Sequence, residues 1–158
     1  MMALKDILYR VTINAVVGST LVDINAIQFD SRSINDNDLF VAIKGTIVDG
    51  HDFIEKAIAK GARAIICEKL PENFHNGITY VEVKNASRAL AFMASNYYEM
   101  PSENLKLVGV TGTNGKTTVA TLLYHLFKKA GFKVGLLSTV KIMVDNKEYK
   151  ATHTTPDS

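Results

Sequence analysis

The sequence predicts an α/β fold divided into two domains, and three observations favour it. Short apolar runs alternate with segments whose apolar residues recur at helical spacing. A glycine-rich turn separates an apolar run from a helical segment near residue 112. Pro101 ends another helical segment and is followed by a short polar stretch, which is typical of a linker. We therefore expect one domain at residues 1–101 and a second at residues 105–158.

In the first domain, helices and buried strands are predicted in alternation. Apolar residues at helical spacing predict a short amphipathic helix over residues 1–11. Later helices are expected from about residue 52 to 60, with Gly61 as the stop, and to about residue 99 after a cap at Asn85 or Ser87. Apolar runs bounded by polar clusters predict strands at residues 26–29, 39–43, 63–67 and 78–83.

In the second domain the sequence predicts a strand, a helix and a strand, at residues 105–110, 115–130 and 133–137. Such a unit pairs its strands in parallel through a right-handed crossover. A hairpin is predicted around Asp145 and Asn146. Because one such unit and a hairpin cannot bury both faces of a parallel sheet, we expect the chain to be the front piece of a larger protein.

Composition excludes several classes of protein. Hydrophobic residues make up 47% and charged residues 22%, which indicates a globular chain. The apolar runs fall far short of the roughly 20 residues that span a bilayer, and charges near the start exclude an apolar leader. The only cysteine, Cys67, excludes an internal disulfide and is expected to be a core residue. We expect a cytoplasmic monomer with no membrane partner.

Charge is distributed unevenly along the chain. The net charge of +2 is too small to indicate a nucleic-acid partner. Residues 1–100 carry ten basic against twelve acidic residues, whereas residues 101–158 carry eight against four. A locally basic second domain suits a polyanionic ligand such as a nucleotide, although chance clustering is the simpler explanation.

The most informative stretch is the glycine-rich turn and the helix that follows it. Glycines allow successive backbone N–H groups to converge on a phosphate, and the helix N-terminus adds positive potential. Lys116 supplies a cation for the phosphates, and the Thr117 hydroxyl is placed to ligate Mg²⁺. The first glycine of the usual pattern is replaced by Val110. ATP or GTP binding is predicted; the alternative is a glycine-rich turn with an incidental lysine.

The segment Thr111-Gly112-Thr113-Asn114-Gly115-Lys116-Thr117-Thr118 resembles the ATP loop of the Mur ligases, which also commonly lack the first glycine. Folylpolyglutamate synthetases have a similar loop. Other segments resemble the uridine-nucleotide-binding domain of the Mur ligases: Phe29-Asp30-Ser31-Arg32, Asp38-Leu39-Phe40-Val41-Ala42, Lys44-Gly45, Asp49-Gly50-His51-Asp52-Phe53 and Gly61-Ala62.

The last six residues, His153-Thr154-Thr155-Pro156-Asp157-Ser158, resemble the family members that add the third amino acid (the MurE type). The members that add a D-Ala-D-Ala dipeptide usually have an Asn-Asn pair there. The resemblance thus implies a uridine-nucleotide-binding α/β domain followed by the beginning of the parallel-sheet ATP domain.

The resemblance also implies site residues. Phe29 fits a place in the strand core as well as it fits a substrate contact. Asp30 and Arg32 are expected to form an ion pair that fixes the turn containing Ser31. For His51 and His75, surface or packing roles are favoured. Residues implied to contact the UDP-sugar substrate are Phe29, Ser31, Thr46, Ile47, Val48, Thr154 and Thr155. Those implied to bind ATP are Gly112, Thr113, Asn114, Gly115, Lys116, Thr117 and Thr118, with Lys116 catalytic and Thr117 a ligand of Mg²⁺.

The implied reaction is an ATP- and Mg²⁺-dependent amide ligation in peptidoglycan synthesis. ATP phosphorylates a carboxylate of UDP-MurNAc-L-Ala-D-Glu, and the amine of meso-diaminopimelate or L-lysine attacks the acyl phosphate. Residues 1–158 alone are expected to be inactive, because the family's amine-selecting motif lies later. The alternatives are a dipeptide-adding ligase, a folate-type synthetase or a non-catalytic module that binds a uridine nucleotide.

Overall fold

A computed structural model describes residues 1–45, 48–145 and 147–150. The chain divides into two compact units, Met1–Leu105 and Lys106–Ser158. No helix in the described part of the chain is both long enough and apolar enough to cross a membrane.

The first unit is built on a five-stranded sheet with the order β2-β7-β6-β5-β4. Strands β4 to β7 are parallel, and β2 joins the edge in antiparallel orientation beside β7. A separate two-stranded sheet pairs β1 with β3. The strands are β1 (Met2–Ala3), β2 (Ile13–Val17), β3 (Asp23–Ile24), β4 (Ile27–Gln28), β5 (Leu39–Val41), β6 (Ala64–Cys67) and β7 (Thr79–Val83); the helices are α1 (Leu4–Ile7), α2 (Ile54–Ala59) and α3 (Ala86–Tyr97).

Both faces of the large sheet are covered, which explains why β5 and β6 are buried along their whole length. Successive side chains of a strand point to opposite faces. Leu39 and Val41 therefore enter a core cluster with α1 and α3, whereas Phe40 enters a second cluster with α2. Cys67 is fully buried in the second cluster, as predicted.

The second unit contains one helix and a small antiparallel sheet. Helix α4 (Lys116–Lys129) precedes strands β8 (Gly135–Leu137), β9 (Lys141–Val144) and β10 (Lys147–Lys150), in the order β10-β9-β8. The hairpin of β9 and β10 is confirmed, and Asp145 in its turn has a positive φ of 56°. Among the described residues of this unit, only Tyr124 and Leu136 are buried.

The α/β fold class is confirmed, but two local predictions are wrong and one strand was missed. The first helix is limited to Leu4–Ile7, because the chain before it joins a sheet. Strand β2 was not predicted; four of its five residues are apolar, but it lies at the sheet edge with all of its side chains exposed or half-buried. Residues 105–110 form no strand, and β8 pairs antiparallel with β9, so the parallel strand-helix-strand unit is absent from the described residues. A strand needs a neighbour for its backbone hydrogen bonds, and no described strand pairs with this segment.

Candidate functional site

The first candidate site lies at the carboxyl edge of the large sheet. Strands β4, β5 and β6 are adjacent and parallel, so the segments that follow them meet at one edge. These segments are the turn at residues 30–33, the loop residues 42–45 and 48–50, and Glu68. Ligands of open parallel sheets bind outside the carboxyl ends of the strands.

The turn after β4 holds Ser31, which is only 7% exposed. The predicted ion pair is present: the Arg32 guanidinium donates to both carboxylate oxygens of Asp30, at 2.8–3.1 Å. Further bonds fix the turn, because Ser33 N–H donates to Asp30 O at 3.0 Å and Lys60 Nζ donates to Arg32 O at 2.7 Å. The bond from the Arg32 side chain, reinforced by the Arg32 backbone N–H, lowers the pKa of Asp30 to about 2. Ser31 thus sits in a turn of fixed shape.

Phe29 precedes this turn and is 48% exposed. Its alternative interpretation as strand core is therefore wrong, since β4 ends at Gln28. The exposed ring stands one residue past the strand, where a flat ligand could stack on it.

The loop after β5 is closed at its neck by backbone hydrogen bonds. Gly50 N–H donates to Ile43 O at 2.9 Å, and Gly45 N–H donates to Val48 O at 3.0 Å. A Cβ atom on Gly50 would lie 2.5 Å from Ile43 O, so the close approach requires glycine. Val48 is 52% exposed. Thr46 and Ile47, like Thr154 and Thr155, lie outside the described residues.

His51 lies just beyond this loop and makes two specific hydrogen bonds, not a loose packing contact. Its Nδ1 lies 2.6 Å from Asp49 Oδ1, and its Nε2 accepts the backbone N–H of Glu68 at 2.9 Å. The backbone N–H of His51, followed by its ring, lowers the pKa of Asp49. Sequence reasoning missed this role, because Glu68 is 17 residues away. The Asp49-Gly50-His51 spacing, typical of an Asx turn, was the available signal.

The second candidate site is the phosphate loop at the start of α4. All seven residues predicted to bind ATP, residues 112–118, are contiguous around this helix N-terminus. Gly112 and Gly115 have positive φ values of 148° and 79°, which favour glycine. A Cβ atom on Gly115 would meet nothing within 4 Å, and one on Gly112 only Asn114 O at 3.7 Å. The loop is therefore open to a ligand.

The charge of this loop favours an anion. Lys116 Nζ donates to the carbonyls of Gly112 and Thr113 at 2.6 and 3.2 Å, so its cation already lies over the loop. The first N–H groups of α4 have no partner within the helix and carry its positive dipole end. Thr117 is half-buried at this end. Within the described ranges, no group of three His, Cys, Asp or Glu residues could hold a metal ion.

Comparison with known proteins shows that two parts of the chain each match a known domain family. Residues 23–98 match the Mur ligase family, catalytic domain, and residues 110–158 match the Mur ligase middle domain.

Named relatives match along nearly the whole chain. The UDP-N-acetylmuramoyl-L-alanyl-D-glutamate--2,6-diaminopimelate ligase of Cytophaga hutchinsonii is 52% identical over 99% of this chain and 32% of its own length. The protein of the same name from Phocaeicola vulgatus is 47% identical over the same shares of the two chains. The chain thus spans about a third of the length of the curated relatives it matches.

Solved structures of Mur ligases also resemble this chain. The MurF ligase of Thermotoga maritima in complex with ADP is 36% identical, with a TM-score of 0.51 over 66% of this chain and 23% of that one. A UDP-N-acetylmuramoyl-L-alanyl-D-glutamate--2,6-diaminopimelate ligase has a TM-score of 0.69 over 99% of this chain and 31% of its own. At 21% identity, that second likeness shows the fold alone.

Proposed function

The chain belongs to the Mur ligase family, and from this premise we propose that it carries the uridine-nucleotide and ATP sites of a third-residue ligase. The proposed reaction joins meso-diaminopimelate, or L-lysine, to UDP-MurNAc-L-Ala-D-Glu in peptidoglycan synthesis. The observation that carries the proposal is the 52% identity, over 99% of this chain, to a relative named for the diaminopimelate reaction.

We assign the UDP-sugar to the carboxyl edge of the large sheet. Ser31 has its hydroxyl and backbone N–H in a turn fixed by the Asp30–Arg32 pair, so either group can bind the nucleotide without reorganisation. The exposed Phe29 and Val48 supply apolar contact beside it. On the strength of family resemblance alone, Thr46 and Ile47 are proposed as further contacts from the loop after β5, and Thr154 and Thr155 remain proposed contacts of the UDP-sugar substrate.

We assign ATP to the loop at residues 112–118. ATP supplies the phosphoryl group that activates the substrate carboxylate. The loop N–H groups and the end of α4 hold the phosphates, and Lys116 neutralises charge as that group is transferred. Thr117 offers Mg²⁺ one hydroxyl ligand; phosphate oxygens and water are the remaining donors such an ion accepts.

We expect residues 1–158 to bind nucleotides without completing the ligation. The chain spans about a third of the length of the named relatives, and of the described residues of the second unit only Tyr124 and Leu136 are buried. A phosphate site needs rigid support on both sides of the loop. Small molecules are the proposed partners, the chain is proposed to act as a monomer, and the single buried thiol of Cys67 suits the reducing cytoplasm.

Calorimetric titration of the chain with UDP-MurNAc-L-Ala-D-Glu and with Mg-ATP tests both assignments. Ser31→Ala removes one hydroxyl, so affinity for the UDP-sugar should fall up to about tenfold while Mg-ATP affinity stays unchanged. Lys116→Ala should have the reverse selectivity, because phosphate charge loses its partner. An equal loss of both ligands in either variant would contradict the separate assignment.

A dipeptide-adding ligase is the second candidate, because MurF structures resemble this chain at 29–36% identity. Its name identifies a UDP-MurNAc-tripeptide as the acceptor. Titration with that tripeptide in place of the dipeptide separates the two functions. Tighter binding of the dipeptide is expected, and tighter binding of the tripeptide would favour the second candidate.

A further inference from the structure

We infer that His51 is a positioning residue that fixes the loop after β5 to the end of β6. The inference rests on the proposed function, which assigns the UDP-sugar to this edge of the sheet. The loop is represented by its described residues, 42–45 and 48–50.

The hydrogen bonds of the ring define its protonation state. A backbone N–H can only donate, so the Glu68 N–H requires an unprotonated Nε2 on His51. The ring proton then lies on Nδ1 and is donated to Asp49 Oδ1 at 2.6 Å. The neutral ring with its proton on Nδ1 is the one form that satisfies both contacts. The His51 side chain is only 20% exposed.

These bonds connect the loop after β5 to the end of the fully buried strand β6. The backbone of Asp49 also forms an isolated antiparallel β-bridge with that of Lys44, next to the glycine that closes the neck. On the other side of the ring, Glu68 directly follows the fully buried β6. The Glu68 carboxylate in turn accepts the N–H of Ala86 at 2.8 Å, at the start of α3.

The consequence is a continuous line of hydrogen bonds from the β5 loop to the sheet and to α3. The position of Asp49 is thus set through His51 by Glu68, which is remote in sequence, and this described part of the loop need not be ordered when a ligand arrives. Such pre-ordering raises affinity by lowering the entropy lost on binding. His51 acts through Asp49 and Glu68, and no contact with the ligand is required of it.

Two substitutions of His51 test its two side-chain hydrogen bonds one at a time. Glutamine places an amide oxygen near the position of Nε2, so His51→Gln keeps an acceptor for Glu68 N–H. Asparagine places its amide nitrogen near Nδ1, so His51→Asn keeps only the local bond to Asp49. His75→Ala is the matched control, because it removes another His–carboxylate contact, to Glu55, from the exposed surface of α2.

Calorimetry of the 158-residue chain with UDP-MurNAc-L-Ala-D-Glu should give affinities roughly three- to tenfold weaker for His51→Ala and His51→Asn. His51→Gln should recover most of the loss, and His75→Ala should bind as the unaltered chain does. Mg-ATP affinity should stay constant throughout. An unchanged affinity in His51→Ala, or an equal loss in His75→Ala, would overturn the inference.

Nitrogen NMR of the His51 ring at pH 7 gives an independent readout. We expect a protonated Nδ1 and an unprotonated Nε2, whereas the opposite tautomer would overturn the inference even if affinity fell. Failure of the unaltered chain to bind the UDP-sugar would overturn the proposed function together with the inference. Binding that no His51 variant alters would overturn the inference alone.

Discussion

The two units of this chain carry similar apolar patterns but bury them very differently. In the first unit, sheet residues alternate between two core clusters, each covered by helices. In the second, α4 has apolar residues at helical spacing, yet these are 40–63% exposed: Val119, Leu122, Leu126 and Phe127. A sequence pattern specifies which face an element can bury, but burial requires a partner to pack on that face.

The two candidate sites likewise differ in how many contacts hold their backbone in place. The Ser31 turn is braced by side chains from its own strand end and from Lys60. The segment at residues 106–114 donates no backbone hydrogen bond to a described residue, and its loop is exposed. The Ser31 turn proposed for the uridine nucleotide is therefore held in shape by residues of its own unit, whereas we expect the phosphate loop to depend on further packing to become rigid.

Hydrogen exchange should display the contrast most strongly. Amides of the fully buried β6 should open only with the core of the first unit, whereas those at residues 106–114 donate no hydrogen bond to a described residue. We expect exchange at least about a hundredfold slower in β6, as measured by mass spectrometry of peptic fragments. Equal protection of both segments would break the comparison.

Replacing one leucine in each unit by alanine should show the same difference in burial as a difference in stability. Leu39 in β5 is 0% exposed, whereas Leu122 in α4 is 63% exposed. Leu39→Ala should lower the free energy of unfolding by about 3–5 kcal/mol through lost burial and a cavity. Leu122→Ala should change it by less than about 0.5 kcal/mol. Urea denaturation measures both, and a large cost at Leu122 would mean that α4 is buried in solution.

A pair of glycine substitutions tests backbone packing in the two units. A Cβ atom on Gly50 would lie 2.5 Å from Ile43 O, whereas one on Gly109 would meet nothing within 4 Å. Gly50→Ala should lower the melting temperature of the first unit, at a cost of about 1–3 kcal/mol, because the neck of the loop must open. Gly109→Ala should be neutral to within about 0.5 kcal/mol. Similar effects at both positions would contradict the packing of the loop.

The smallest expected effect is the pH dependence contributed by the Ser31 turn. The pKa of Asp30 falls from 3.8 to about 2, mainly through the Arg32 side chain, so folding stabilises the charged carboxylate. The resulting stability is present above the unfolded pKa and is lost as pH falls through the folded value. In Arg32→Ala the Asp30 carboxyl should titrate closer to 3.8. Carbon NMR of that carboxyl measures the shift, and an unaltered titration would exclude Arg32 as its cause.

Local features of the fold followed from the sequence because neighbouring residues fix them. Asn85 caps α3 by accepting the N–H of Arg88, and Gly61 follows α2 with a φ of 105°. Gly115 precedes α4 in the left-handed conformation, at the predicted junction of the glycine-rich turn and the helix. Each depends on backbone conformations and hydrogen bonds within a few residues, which the sequence alone specifies.

Tertiary structure alone decided the features that need a distant partner. Strand β2 exists because β7 offers it hydrogen bonds, whereas residues 105–110 have an apolar run but no described neighbour, and form no strand. His51 acquired a specific role only where β6 brings Glu68 to its ring. Backbone and ring groups must find partners wherever the fold supplies them, and neither spacing nor composition encodes which distant residue that will be.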